Sequence, residues 1–562
     1  MTGNYVIFAI KSAKTCIFMK KSLSVAAVLA LSFVMTFSCS APQSQIAVNP
    51  LTYTDIPDND VIRVGDTYYM VSTTMYYCPG APIMKSRDLV HWETVNYVFD
   101  YLEDDDVYNL RNGAHAYGMG QWAASLRYND GVYYMLFVAN DQHKTYMFRT
   151  RDIENGPWEK NEIEGKFMHD ASLLFDEGRL FCIHSNGDIM ITELEPDGSA
   201  LKKGGIDTLL FSAPSEGYGL RAEGAHFYKI DGKYYVLEID WPAGGIRTET
   251  CWRSDSLLGE YESRVVLRGE FDGRPDGVAQ GAIVDTPDGD WYAIMFQDHG
   301  AVGRIPTVQP VTWVDGWPVM GDNTVPMKEV KVNLPASGRD YVWDSDGFDS
   351  GTLALVWQWN HKPVDGEWSL SERPGWMRIY AGEAVGNIFE ARNSLTQRTV
   401  GPRSTSEVLL DASGMKPGAR AGLCAFQSLN ISVGVEVGPD GEKAVVARMG
   451  QRTYDEVVRA DGSKGIVPGF EERVLASTPM EGDSVRLRIR YVFTAQEDDD
   501  CGDDKAYVGW SFDGESWTEC PEPLQMRYTL DLFTGYRSML YSYSSTQEGG
   551  YADFDYFRQQ VY

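Results

Sequence analysis

Three acidic side chains stand at almost the same offset ahead of a recurring turn glycine. Asp58 is seven residues before Gly65, Asp170 eight before Gly178 and Glu223 nine before Gly232. Carboxylates gathered in one place are costly unless they share protons or perform chemistry, because like charges raise one another's pKa. Cleaving the acetal between two sugars uses that asymmetry. One carboxyl stays protonated to donate to the leaving oxygen, and another stays ionised as base or nucleophile. A third can hold up the pKa of the acid and fix its orientation. Trp122 and Gln280 each lie nine residues before their own turn glycines, Gly131 and Gly289. They supply an aromatic platform and a hydrogen-bonding amide, types that sugar recognition uses. For any one of the 80 Asp and Glu residues, the ordinary role is a turn acid or a cation ligand. The shared offset is what sets these three apart.

The elements that must position them are repeated units. A Gly in a polar turn followed by aromatics occurs at Gly65 with Tyr68 and Tyr69, Gly131 with Tyr133 and Tyr134, and Gly178 with Phe181. It recurs at Gly232 with Tyr234 and Tyr235 and at Gly289 with Trp291 and Tyr292. Runs rich in Val, Ile, Tyr and Phe flank each turn, which marks β-hairpins. The spacing of 47 to 66 residues suits four-stranded propeller blades with insertions. The alternative is a sandwich with chance matches. The expected architecture is all-β, with a five-bladed β-propeller over 45–325 whose inner strands line one channel and bring equivalent positions together. Pro335-Ala336-Ser337-Gly338 places a linker at 326–340. Longer alternating strands then predict a β-sandwich over 341–562.

The chain of 562 residues carries 50 basic and 80 acidic side chains, a net charge of −30. Nucleic acid and anionic membrane surfaces would be repelled, so a neutral ligand fits better. Lys20 and Lys21 precede an apolar run from Leu23 to Phe37, so residues 1–40 read as a signal segment. Cys39 is a candidate lipid attachment point. The chain is therefore expected to be exported, to the periplasm or as a lipid-anchored protein at a bacterial membrane. Cys78, Cys182, Cys251, Cys424, Cys501 and Cys520 show no paired metal-ligand spacing. Most read as buried thiols, although the last two could pair after export.

These segments resemble glycoside hydrolase family 43. The resemblance rests on Pro57-Asp58-Asn59-Asp60-Val61-Ile62, His169-Asp170-Ala171-Ser172 and Ala222-Glu223-Gly224-Ala225-His226, with Trp122-Ala123, Gln280-Gly281 and Gly303-Arg304. It implies Asp58 as general base, Glu223 as general acid and Asp170 as the residue that tunes and orients the acid. Trp122, Gln280 and Arg304 then contact substrate. Two departures stand out: Asn59 and Ala225 occupy positions where the family usually has Pro. The first leaves Asp60 as a rival base. The second half resembles the concanavalin-like sandwich, or jelly roll, often appended to such propellers, through Trp359-Asn360-His361, Leu395-Thr396-Gln397-Arg398 and Asp553-Phe554-Asp555.

The resemblance implies an inverting, exo-acting hydrolase that releases terminal α-L-arabinofuranose from hemicellulose-derived oligosaccharides. A β-xylosidase on xylo-oligosaccharides is the alternative, and a non-catalytic glycan-binding protein is a third reading. No cofactor is required and no protein partner is implied. His299 sits where some relatives hold a central cation or its water, with a satisfied core histidine as the other reading. Asp349 and Asp555 are candidate ligands for a structural calcium in the sandwich, with surface acids as the other reading. Trp357, Trp359 and Trp368 read as core rather than as sugar platforms.

Overall fold

The computed structural model describes residues 44–271, 273–274, 276–458, 464–494, 504–546 and 549–562. The signal segment 1–40, its Cys39 and the thiol of Cys501 lie outside the described residues. The first half folds into five antiparallel sheets of four strands, one for each repeat. Their inner strands are Asp60–Val64, Gln121–Asn129, Ser172–Asp176, Tyr218–Ile230 and Ala279–Asp285. Each abuts the next, and the fifth abuts the first, closing a five-bladed propeller.

The repeat has a direct packing explanation. The turn glycines adopt φ of +67° to +90°, and a Cβ at Gly65, Gly178, Gly232 or Gly289 would meet nothing within 4 Å. Backbone conformation rather than space therefore calls for glycine there. Neighbouring residues of a strand face opposite sides of the sheet, so a pair of aromatics serves two gaps at once. Tyr68 packs in the core shared by blades five and one, and Tyr69 in the core shared by blades one and two. Tyr133 and Tyr134, and Tyr234 and Tyr235, divide in the same way between the gaps on either side of blades two and four.

The segment 326–340 contains a short strand, Glu329–Val332, which pairs antiparallel with Gln45–Val48. Beyond it the chain supplies seven strands to one sheet and eight to another, around a core containing Trp357 and Trp359, with Trp368 packed against it. These tryptophans are core residues. Propeller and sandwich share structure as well as contact. Tyr77–Cys78, an excursion of blade one, pairs with Gln358–Asn360 and extends one sandwich sheet. Ala301, Val302 and Ile305 of blade five join the sandwich core. Cys78, Cys182, Cys251, Cys424 and Cys520 are buried thiols.

Candidate active site

The chain enters each blade through a residue in the left-handed region. In three blades this residue is not glycine: Asp58 has φ +54°, Asp170 +48° and Gln280 +58°. The others use Gly120 at +88° and Gly224 at +65°. Such conformations cost about 1–3 kcal/mol each for non-glycine residues and persist where the surroundings impose them. The inner strands of blades two, four and five also show register shifts at these ends. The irregularity turns side chains out of the sheets and toward the channel mouth.

All six residues named from the sequence line one cavity of about 420 Å³: Asp58, Trp122, Asp170, Glu223, Gln280 and Arg304. Asp58 Oδ1 accepts from Arg304 Nη1 at 2.9 Å and Gln280 Nε2 at 3.2 Å. Asp170 Oδ2 accepts from the backbone N–H of Gly224 at 3.0 Å, gripping the chain beside Glu223. The rival, Asp60, does not line the cavity. It is buried and accepts from Leu126 N and Arg127 Nη1, both at 2.7 Å, so it pins blade one to blade two.

Residues with no role assigned from the sequence complete the site: His169 behind two of the acids, and others in the wall itself. His169 places Nδ1 3.7 Å from Asp170 and Nε2 3.9 Å from Glu223. Arg247 pairs with Asp298, and its guanidinium lies 4.9 Å from the ring centre of Trp241. The far side comes from the sandwich: Tyr528, Leu530 and Phe533. Phe533 packs edge-on to Trp122 with ring centres 5.6 Å apart and lies 4.8 Å from the Arg304 guanidinium. The indole N–H of Trp122 is buried with no protein hydrogen-bond partner.

The electrostatics are those of a coupled cluster. Burial is the largest influence on Asp170 and raises its carboxyl to about 7; Glu223 and Asp58 add to the rise, while His169 and the Gly224 N–H oppose it. Burial disfavours the imidazolium of His169, but Glu223, Asp170 and Asp58 together outweigh it and raise the ring to about 9. His169 is thus a cation at neutral pH. His169, Asp170 and Glu223 also form the one cluster of three metal-type donors among the described residues.

His299 is buried beside the cavity, and neither ring nitrogen has a protein hydrogen-bond partner. Burial lowers it to about 2, with Arg274 and Lys328 adding. In the sandwich, Asp349 is exposed. Burial raises Asp555, Asp349 adds to the rise, and Arg373 and Arg486 counter it. A calcium ion at Asp349 and Asp555 would have to compete with those arginines.

Beneath the site, the fully buried Glu249 accepts from the backbone N–H of Gln280 at 2.7 Å and so supports the residue that donates to Asp58. Burial raises Glu249 to about 8, against an ordinary glutamate near 4.3. The folded state therefore holds a proton that the unfolded chain releases. Its stabilising effect is full below about pH 4 and is lost as pH rises through about 8. The thermal midpoint is expected to fall between pH 5 and 8.5, and to fall less in Glu249→Gln. An identical decline in wild type and variant, measured by calorimetry, contradicts this.

The fold and cavity agree with the sequence comparisons. Residues 47–318 match the family model for glycosyl hydrolases family 43, and residues 345–560 match a β-xylosidase C-terminal concanavalin A-like domain. A putative β-xylosidase of Xylanibacter ruminicola is 32% identical over 67% of this chain and 71% of its own length. The chain belongs to glycosyl hydrolases family 43. This family 43 glycosidase, acting on an oligosaccharide substrate, is also similar to a β-xylosidase of Formosa agariphila, 28% identical over 91% of this chain and 89% of the relative. A non-reducing-end α-L-arabinofuranosidase of Bacteroides ovatus is 30% identical over 59% of this chain and 64% of its own. A solved bifunctional GH43-CE structure from Bacteroides eggerthii superposes with a TM-score of 0.82 at 40% identity, covering 92% of this chain. The family 43 chain spans 64% of that longer protein.

Proposed function

We propose that the cavity releases one terminal pentose by single displacement with inversion, with Asp58 as general base and Glu223 as general acid. One observation carries this reading: acids from three blades meet sugar-type donors in a cavity whose far wall is supplied by the sandwich. At about 420 Å³, the cavity is at the small end of the ~300–1,000 Å³ range of ligand pockets. That suits a chain end better than an uninterrupted polymer. Arg304 and Gln280 both donate to Oδ1 of Asp58, which leaves Oδ2 to take the proton of an attacking water. Asp170 fixes the Glu223 segment through Gly224 and shares the cluster's protons.

Terminal α-L-arabinofuranose is the sugar to which the sequence resemblance leads, and the Bacteroides ovatus relative supports it. β-D-Xylose is the second reading, favoured by the Formosa agariphila β-xylosidase, which matches propeller and sandwich together. Wild-type rates on nitrophenyl α-L-arabinofuranoside and β-D-xyloside distinguish them. Arabinose release supports the first reading, and xylose alone overturns it. Cleavage of neither overturns the pentosidase proposal.

The His169 cation gives this proposal a pH signature. Removing it in His169→Gln makes the neighbouring carboxyls harder to ionise, so the alkaline limb of the kcat/KM profile should move to higher pH. An unmoved or lowered limb contradicts a charged His169.

A further inference from the structure

The buried carboxylate of Asp55 divides its two oxygens between the two domains. Oδ1 accepts the backbone N–H of Arg304 at 2.8 Å, and Oδ2 accepts that of Gly535, in the sandwich, at 2.9 Å. Its own carbonyl accepts from Arg398 Nε at 2.9 Å. The seam is closely fitted: a Cβ on Gly303 would lie 2.3 Å from Asp55 Oδ1, and one on Gly535 would lie 2.1 Å from the carbonyl of Val302. Two residues before Gly535, Phe533 holds φ +56° and faces the Arg304 guanidinium, while Tyr536 N donates to Ala301 O at 3.0 Å. One carboxylate therefore fixes both the strand that starts with the substrate arginine and the loop that walls the cavity.

We propose that Asp55 is a positioning residue that sets the fit of the terminal sugar by holding the sandwich loop 526–536 in register with Arg304. This rests on the reading of the cavity as the active site. Asp55 does not line the cavity, so its loss should weaken binding more than chemistry. In Asp55→Asn the side chain keeps its size, but an amide N–H₂ must face one of the two backbone donors. Arg392→Gln is the control: it removes a different propeller–sandwich bond, from Arg392 Nη2 to Asn109 Oδ1 at 2.7 Å, away from the loop.

The test measures kcat and KM on the aryl pentoside that wild type cleaves, together with amide hydrogen exchange. The expected result for Asp55→Asn is a KM raised about tenfold, the loss of one charge-assisted hydrogen bond, with kcat changed less than about threefold. Exchange should quicken across 526–536 and at Arg304, while Arg392→Gln keeps wild-type values. Wild-type KM and exchange in Asp55→Asn overturn the proposal. So does an equal loss in both variants, which would mark a general weakening of the seam. If wild type cleaves neither pentoside, the substrate reading fails separately, and exchange alone decides: faster exchange confined to Asp55→Asn supports the positioning role, and unchanged exchange overturns it.

Discussion

Glu223→Gln should lower kcat on an unactivated pentose disaccharide by about 10²–10⁴-fold, the range general acid catalysis contributes. A glutamine fills the same space at the irregular point of blade four and can still hydrogen-bond, but it has no proton to give. The size of the loss must depend on the leaving group. A sugar alkoxide needs protonation as it departs, whereas a nitrophenolate is stable enough to leave with little help. The deficit should shrink markedly on the nitrophenyl substrate, with KM little changed on both. Equal losses on the two substrates would mean that Glu223 is not the acid.

Asp58→Asn should produce the second large effect, with the opposite pattern. The general base acts on water, so the loss of about 10²–10⁴-fold in kcat should be similar for good and poor leaving groups. This variant also has a structural consequence that Glu223→Gln lacks. The Asp58 and Arg304 side chains are 8% and 7% exposed and meet at 2.9 Å. Removing one member of a buried pair strands the other charge, at about 3–5 kcal/mol. A lowered thermal midpoint should therefore accompany the lost activity. Measuring both on one preparation, with circular dichroism to check the fold, separates the chemical from the structural loss. A variant as stable as wild type contradicts the buried pair, and one as active contradicts the base.

The parts of this site that were legible in the sequence are those the repeat carries. The Gly turn with its aromatics repeats because each blade must fill the gap on either side of it, with a pair of rings in most blades and with Leu180 and Phe181 in blade three. The same period indexes Asp58, Asp170 and Glu223 to one channel mouth. Strand alternation expects Asp58 and Asp60 on the same face, so periodicity alone left both as candidate bases; in the structure Asp58 precedes the strand with φ +54° and turns away from it. The distinction came from the neighbouring blade, where Leu126 N and Arg127 occupy Asp60. The sandwich wall was not legible, because Tyr528, Leu530 and Phe533 belong to no repeat and acquire their role only through domain docking. Tyr77–Cys78 gave no signal either: two residues are too few to show alternation, and their partner strand lies about 280 residues away. His169 stood inside a recognised motif, but its charge depends on three carboxylates from separate blades, which no local pattern displays.

The most direct test of the account is the stereochemistry of the first sugar released. A proton NMR time course of wild type on its cleaved nitrophenyl pentoside, begun before mutarotation equilibrates the product, reports the anomer formed at the active site. Attack by a water activated at Asp58, with Glu223 protonating the leaving group, predicts that the inverted anomer appears first. If the retained anomer appears first, a covalent glycosyl-enzyme is formed and the assignment of Asp58 as a base acting on water is wrong.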